Sequence, residues 1–254
     1  MTDSYKATSA KATGVLSQDE IDALLLAIDE GVSELPKEIF SKDQIHSLQR
    51  LHKTFCRFLS TTLSGYLRTV VDVSLVAVEQ RTYEEFTTTI HHNPACIHIF
   101  SLRPLEGRAF LEVEPLLAYS IIDRLLGGKG DPSSKNKAFT DIEETCFIQV
   151  SNFFFRGLNE AWKTVLEFDM RWEQFENSPP FVQWIAPEEV VILVTCEIKI
   201  GLVSGILRIC FPYVYLQPIL PSLNTQIGRM DGEIGKTFVN ENFPKPFQKT
   251  LTEE

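Results

Sequence analysis

The sequence is poor in the features that most directly announce an activity. Its five cysteines, at 56, 96, 146, 196 and 210, form no C-x-x-C pair. Neither a thiolate zinc site nor a dithiol redox motif is therefore written into their spacing. Residues 1–13 hold no apolar signal core, and an odd, scattered cysteine set in such a chain reads as reduced thiols in the cytosol. Positive charge is scarce: 24 Lys and Arg stand against 34 Asp and Glu, a net charge of −10. No run of Lys and Arg exceeds two residues. A binder of nucleic-acid phosphates needs a basic face, so nucleic acid is excluded as a partner. Glycine and proline, at 13 each, are too few for a collagen-like or low-complexity chain. The one long uncharged run, 209–227, is interrupted by Pro212, Pro218 and Pro221. It reads as a buried strand followed by a broken helix, not as a membrane span.

Catalytic signatures are missing too. No serine lies in G-x-S-x-G. Gly127-Gly128-Lys129-Gly130 looks superficially like a phosphate loop, but it follows a helix and lacks Ser or Thr after the lysine. Composition makes it an exposed connector or a partner-contact loop. His91, His92 and His98 cluster without a carboxylate or thiol at ligand spacing, so they are expected to be surface or half-buried side chains. No cofactor or metal is expected, and the cysteines are expected to serve as small buried hydrophobes.

What is present is order. Apolar residues make up 44% and charged residues 23%, the balance of an ordinary globular protein. Residues 1–40 are expected to form a flexible acidic segment. Its first 35 residues carry seven acids against Lys6 and Lys11, half the net charge of the chain. Within it, Leu16-Ser17-Gln18-Asp19-Glu20-Ile21-Asp22-Ala23-Leu24-Leu25 has a helix start written into it. Ser17 and Glu20 have capping-box spacing, and Leu16 and Ile21 occupy the hydrophobic-staple positions. Ile21, Leu24, Leu25 and Ile28 line one face. A helix of about three turns is marginal alone in water, so this one should fold against a groove, on a partner or on its own domain.

From residue 41 a pattern runs twice. Ser41–Gln44 and Thr140–Glu143 are capping boxes that open long helices, expected over 42–67 and 141–166. The inward stripe of the first is Ile45, Leu48, Leu51, Phe55, Phe58, Leu59, Leu63 and Tyr66. That of the second is Ile142, Cys146, Val150, Phe153, Phe154, Leu158, Ala161 and Val165. Each helix is followed by an alternating strand, two further strands and a short Pro-led helix at Pro115 or Pro212. Single copies would leave half-covered strands, so the two are expected to share one continuous sheet in an α+β domain with pseudo-two-fold symmetry over 41–222. Gly127 is the natural cap after the first short helix. Residues 223–254 lose the pattern and read as a tail.

These residues resemble a known family. The tail motif from Leu16 to Leu25, Phe40-Ser41-Lys42-Asp43-Gln44, Leu67-Arg68-Thr69 and the stretch from Val78 to Phe86 are similar to the FliM family of flagellar motor switch proteins. So are the run from Ile121 to Gly130 and Val194-Thr195-Cys196-Glu197-Ile198-Lys199-Ile200-Gly201. The resemblance covers roughly 16–222. It implies a non-enzymatic rotor protein at the cytoplasmic face of the inner membrane, at the flagellar basal body. It also implies that the N-terminal helix captures phosphorylated CheY through Leu16, Ser17, Gln18, Asp19, Glu20, Ile21, Leu24 and Leu25. The loop Gly127, Gly128, Lys129, Gly130 and Asp131 would contact FliG, and neighbouring FliM copies would pack in a ring. FliN is a further partner that the family implies. Members carry a FliN-like C-terminal domain, for which 223–254 is too short and aperiodic. The resemblance also gives the middle domain a CheC/CheX-like fold, and with it an enzyme alternative, a CheY phosphatase. The second long helix offers Thr145, Gln149 and Asn152 where those enzymes need an acid at the middle position, and the first has only Asp43. A third reading is a FliM-like paralogue that sequesters phosphorylated CheY away from the motor. For the loop, Gly127 has a capping role and Gly128 a weaker one, so Gly128→Asp is expected to spare the fold and abolish the FliG contact.

Overall fold

A computed structural model describes residues 39–90, 94–130, 138–177 and 185–225. The chain divides into Met1–Lys37 and Glu38–Glu254, and the described residues all belong to the second unit. Helix α1 (Lys42–Leu67) starts as its sequence dictates. Ser41 Oγ accepts from Gln44 N at 3.2 Å, and Gln44 Oε1 accepts from Ser41 N at 2.8 Å. It ends at Arg68, whose φ of 50° is left-handed. Strand β1 (Val71–Thr82) runs into α2 (Tyr83–Thr89), opened by a capping box at Thr82 and Glu85 that the sequence reading passed over. Next come β2 (Ile97–Arg103), β3 (Arg108–Val113) and α3 (Pro115–Leu125), with Pro115 in the first turn. The second half supplies α4 (Asp141–Trp162), β4 (Asp169–Glu176), β5 (Val190–Ile200) and β6 (Val203–Pro212). Short helices α5 (Tyr213–Leu216) and α6 (Leu220–Thr225) close it.

The six strands form one antiparallel sheet in the order β1-β5-β6-β3-β2-β4. Exchanging each strand of the first half with its counterpart in the second returns the same order reversed, so the expected pseudo-two-fold is present. It passes through the central β3–β6 pair, where Glu112 lies opposite Arg208. Both edge strands carry a bulge, at Val76 in β1 and Glu173 in β4. The Val76 bulge changes the phase of β1: Val71 and Val73 point inward before it and Val78 after it.

Polar ties repeat with the duplication. Ser64 Oγ accepts from Val71 N at 2.9 Å, and Asn159 Oδ1 accepts from Met170 N at 2.9 Å, each stitching a long helix to the strand after it. Gly205 lies under α3, where a Cβ would be 2.7 Å from Leu117 Cβ, and Gly107 lies likewise under Tyr215 of α5. These are close approaches that only glycine permits.

The long helices cover one face, and Phe55 and Phe154 are both fully buried there. At Gly157 a Cβ would come within 2.9 Å of Phe58, which explains a helical glycine at the α1–α4 contact. The other face holds a smaller cluster, with Tyr83 and Phe86 of α2 packed on Ile97, Phe110, Val191 and Leu193. Strand β2 is consequently buried on both sides. Three expectations need correction. Ile142 is 73% exposed, and the inward face of α4 runs instead through Phe147, Val150, Ser151, Phe154, Phe155 and Leu158. Tyr66 lies outside the core at 45% exposure, its ring tilted 56° against that of Phe153 with centroids 4.7 Å apart. The ordered domain passes 222: Leu223 is buried, and its carbonyl accepts from Ser47 Oγ at 3.1 Å.

Candidate functional site

The loop after α3 is built from below. Leu126 N donates to Ile122 O, Gly127 N to Arg124 O and Gly128 N to Asp123 O, at 3.0, 3.1 and 2.8 Å. Gly127 has φ 90° and Gly130 φ 78°, the left-handed region in which a Cβ is strained. Gly130 is then pinned twice: its N–H donates to Asp123 Oδ2 at 2.8 Å and its carbonyl accepts from Ser120 Oγ at 2.7 Å. Gly130 is buried, whereas Leu126, Gly127 and Lys129 face outward, with Leu126 68% exposed. The result is a short pinned rim that shows glycine backbone, the apolar Leu126 and the cationic Lys129.

Gly128 is not the neutral position that the sequence suggested. A Cβ there would overlap the carboxylate of Asp123, the same group that holds Gly130. Gly128→Asp would set two carboxylates against each other and loosen the rim from within. That substitution therefore cannot separate contact from structure. Asp131, and all of Leu16, Ser17, Gln18, Asp19, Glu20, Ile21, Leu24 and Leu25, lie outside the described residues.

The groups weighed for enzymatic chemistry fall elsewhere. Thr145, Gln149 and Asn152 are exposed along α4, and Thr145 Oγ1 donates to Asp141 O at 2.7 Å. The neutral Gln149 amide cannot orient a phosphorylated partner as a carboxylate would. Among the described residues no cluster of metal-ligating side chains occurs. His98 is fully buried, not half-exposed as expected. Ser151 Oγ donates to Phe147 O at 3.0 Å and so accepts from His98 Nε2, 3.1 Å away. Burial among Phe147, Phe155 and Phe175 lowers the pKa of His98 to about 3. His91 and His92 lie outside the described residues. Cys56, Cys96, Cys196 and Cys210 are buried as expected, and Cys146 partly.

A buried imidazole and a buried carboxyl escaped the sequence reading. His52 of α1 sits among Phe55, Trp162 and Phe211 with Nδ1 2.8 Å from Leu48 O, and desolvation lowers its pKa to about 4. Glu112 is fully buried, and desolvation raises its pKa to about 7 against the opposing pull of Arg208, whose Nη1 is 2.7 Å from Oε2. The parity of β3 was a usable signal, because Glu112 shares its face with the buried Phe110.

Comparison with known proteins bears on the fold and on the family. A family model described as "Flagellar motor switch protein FliM" matches residues 41–227. The flagellar motor switch protein FliM of Bacillus subtilis is 38% identical over 231 residues, 83% of this chain and 68% of the relative. That of Treponema pallidum is 38% identical over 84% of this chain and 67% of its own length. Among solved structures, a FliG–FliM complex from H. pylori contains a chain that superposes with a TM-score of 0.69 at 35% identity. The superposition covers 72% of this chain and all of that one. Among the described residues no helix is long and apolar enough to cross a membrane. A duplicated α+β sheet of this order, matched over most of its length by these relatives, places the chain in the flagellar motor switch protein FliM family.

Proposed function

We propose that this chain works as a rotor component of the flagellar motor switch. It binds FliG through the rim at Gly127, Gly128, Lys129, Gly130 and Asp131, and phosphorylated CheY through the helix expected at 16–28. It would act as a binding protein in a ring of its own copies, on the cytoplasmic face of the inner membrane at the basal body, with FliN as a further ring partner. The observation that carries the reading is the rim itself. A loop pinned from below by Asp123 and Ser120, and open above at Leu126 and Lys129, has the form of a preorganised contact. A similar domain solved in complex with FliG supports the choice of partner.

Leu126→Asp tests it, because Leu126 is largely exposed and places no side chain in the core. With the full chain, titration with purified FliG should show at least a tenfold loss of affinity and an unchanged thermal melt. Unchanged affinity would refute the rim as the contact. A fluorescent fusion tests the reading against sequestration of phosphorylated CheY: foci at flagellar bases support the rotor, and a diffuse signal supports sequestration.

A further inference from the structure

Each long helix meets the sheet through a pair of polar or soft side chains. In the second half the pair is Ser151 of α4 and His98 of β2, 3.1 Å apart. In the first half it is two thiols: Cys56 Sγ of α1 lies 3.6 Å from Cys196 Sγ of β5. These cysteines are 140 positions apart in the sequence, so only the fold brings them together. Both are free and buried. No other two cysteines among the described residues are in hydrogen-bond contact.

The place of the pair gives it a mechanical meaning. Ser60 and Ser64 of α1 accept from Val73 N and Val71 N of the edge strand β1, at 2.9 Å each. One turn earlier, Cys56 reaches past β1 to Cys196, which lies opposite Leu75 just ahead of the Val76 bulge. Helix α1 belongs to the first copy of the duplicated unit and β5 to the second, so the two thiols join the halves. Bonded sulfurs stand about 2.05 Å apart. Closure therefore needs an approach of about 1.5 Å, a shift of side-chain size.

We propose that Cys56 and Cys196 form a peroxide-sensitive thiol pair, which oxidation converts into a disulfide that staples α1 to β5. The hydrogen bond from the Cys196 thiol draws the Cys56 pKa below its ordinary range, and the same bond, with burial, pushes that of Cys196 up. Cys56 is accordingly the attacking thiolate and Cys196 the resolving thiol. The Cys56 sulfur attacks one oxygen of hydrogen peroxide, the O–O bond breaks, and the departing hydroxide takes up the thiol proton as water. Cys196 then attacks the sulfenic sulfur, the S–O bond breaks, and a second water leaves with the Cys196 proton. Two thiols and one peroxide become one disulfide and two waters, with two electrons passing from sulfur to oxygen. Burial selects the oxidant: a molecule little larger than water can enter, whereas a glutathione-sized disulfide cannot.

The test treats the full chain, freed of reductant, with hydrogen peroxide at neutral pH. Remaining thiols are alkylated, and the unreduced digest is mapped by mass spectrometry. A linked pair of peptides carrying Cys56 and Cys196 is expected. The melt should rise by at least about 5 °C, because the link closes a long loop in the unfolded chain, and dithiothreitol should reverse the rise. Oxidised glutathione should give neither change in the same time. Cys56→Ser and Cys196→Ser should each abolish both the link and the peroxide-induced shift in melt. If a serine variant does not fold, the wild-type map and melt decide alone. A link that forms only in urea, a link through Cys146 in its place, or Cys56 over-oxidised with Cys196 still free would overturn the inference. So would a link that leaves the melt unchanged or lowers it, or one that oxidised glutathione forms as fast as peroxide.

Discussion

Acid should loosen this domain through its two buried histidines, with Glu112 working against them. His52 and His98 have folded pKa values of about 4 and about 3, both below the ordinary 6.5, because burial disfavours the charged ring. Their contribution is therefore present above pH 6.5 and is lost as pH falls toward the folded values. Carried from pH 7 to pH 4, each loses about 3 kcal/mol, or about 6 kcal/mol for the pair. Glu112 has the opposite sign. Its pKa is raised from 4.5 to about 7, so its contribution is complete below pH 4.5 and is lost as pH rises through 7. Moving to pH 4 returns about 3 kcal/mol. The net loss, about 3 kcal/mol, is a large fraction of a typical domain stability of roughly 5–15 kcal/mol. Urea unfolding at pH 7 and pH 4 measures it. His52→Leu keeps the volume and should bring the difference between the two pH values close to zero, whereas Glu112→Gln should enlarge it to about 6 kcal/mol. If His52→Leu leaves the difference unchanged, the aromatic cage is not holding a neutral ring and the reasoning fails.

Three further outcomes are expected. Phe55→Ala removes a fully buried ring at the α1–α4 contact, and urea unfolding should show a loss of about 3–5 kcal/mol. Gly128→Ala should lower the melting temperature by displacing the Asp123 carboxylate from Gly130, and an unchanged melt would mean that the carboxylate moves aside freely. A peptide spanning 1–30 should be largely unfolded by circular dichroism and gain helix with phosphorylated CheY. Ile21→Ala/Leu24→Ala should remove more than about 2 kcal/mol of that binding by calorimetry.

Much of the fold was legible because local signals and burial agreed. The boxes at Ser41 and Thr140 set the starts of both long helices, and Pro115 set that of the first short one. The two further strands expected in each half are present as β2 with β3 and β5 with β6, and the doubled pattern implied the sheet they share. What was not legible depends on partners distant in sequence. Ile142 satisfies a helical stripe, but the buried face of α4 begins only at Phe147, and Ile142 stays in solvent. The Thr82–Glu85 box went unread because it follows β1 without a break. Burial of His52 depends on the opposing face, which no spacing rule supplies, whereas strand parity with Phe110 could have placed Glu112 inside. At the candidate site, Gly127 was read from its position after a helix, while the role of Gly128 needed the location of the Asp123 carboxylate.

The interleaved strand order also governs how the chain must be made. Among the described residues β1 is an edge strand, and its only partner in the sheet is β5. Val190 follows Thr82 by more than a hundred residues, so at roughly 5–20 residues per second of synthesis β1 waits on the order of 5–20 s for its partner. A bare strand is an invitation to wrong pairing during that interval. The Val76 bulge and the charged Asp72, Glu79 and Arg81 make it a poor template for one. A nascent chain halted before Val190 should thus remain open to protease along α1 and β1, and become resistant only once the second half has emerged to enclose them.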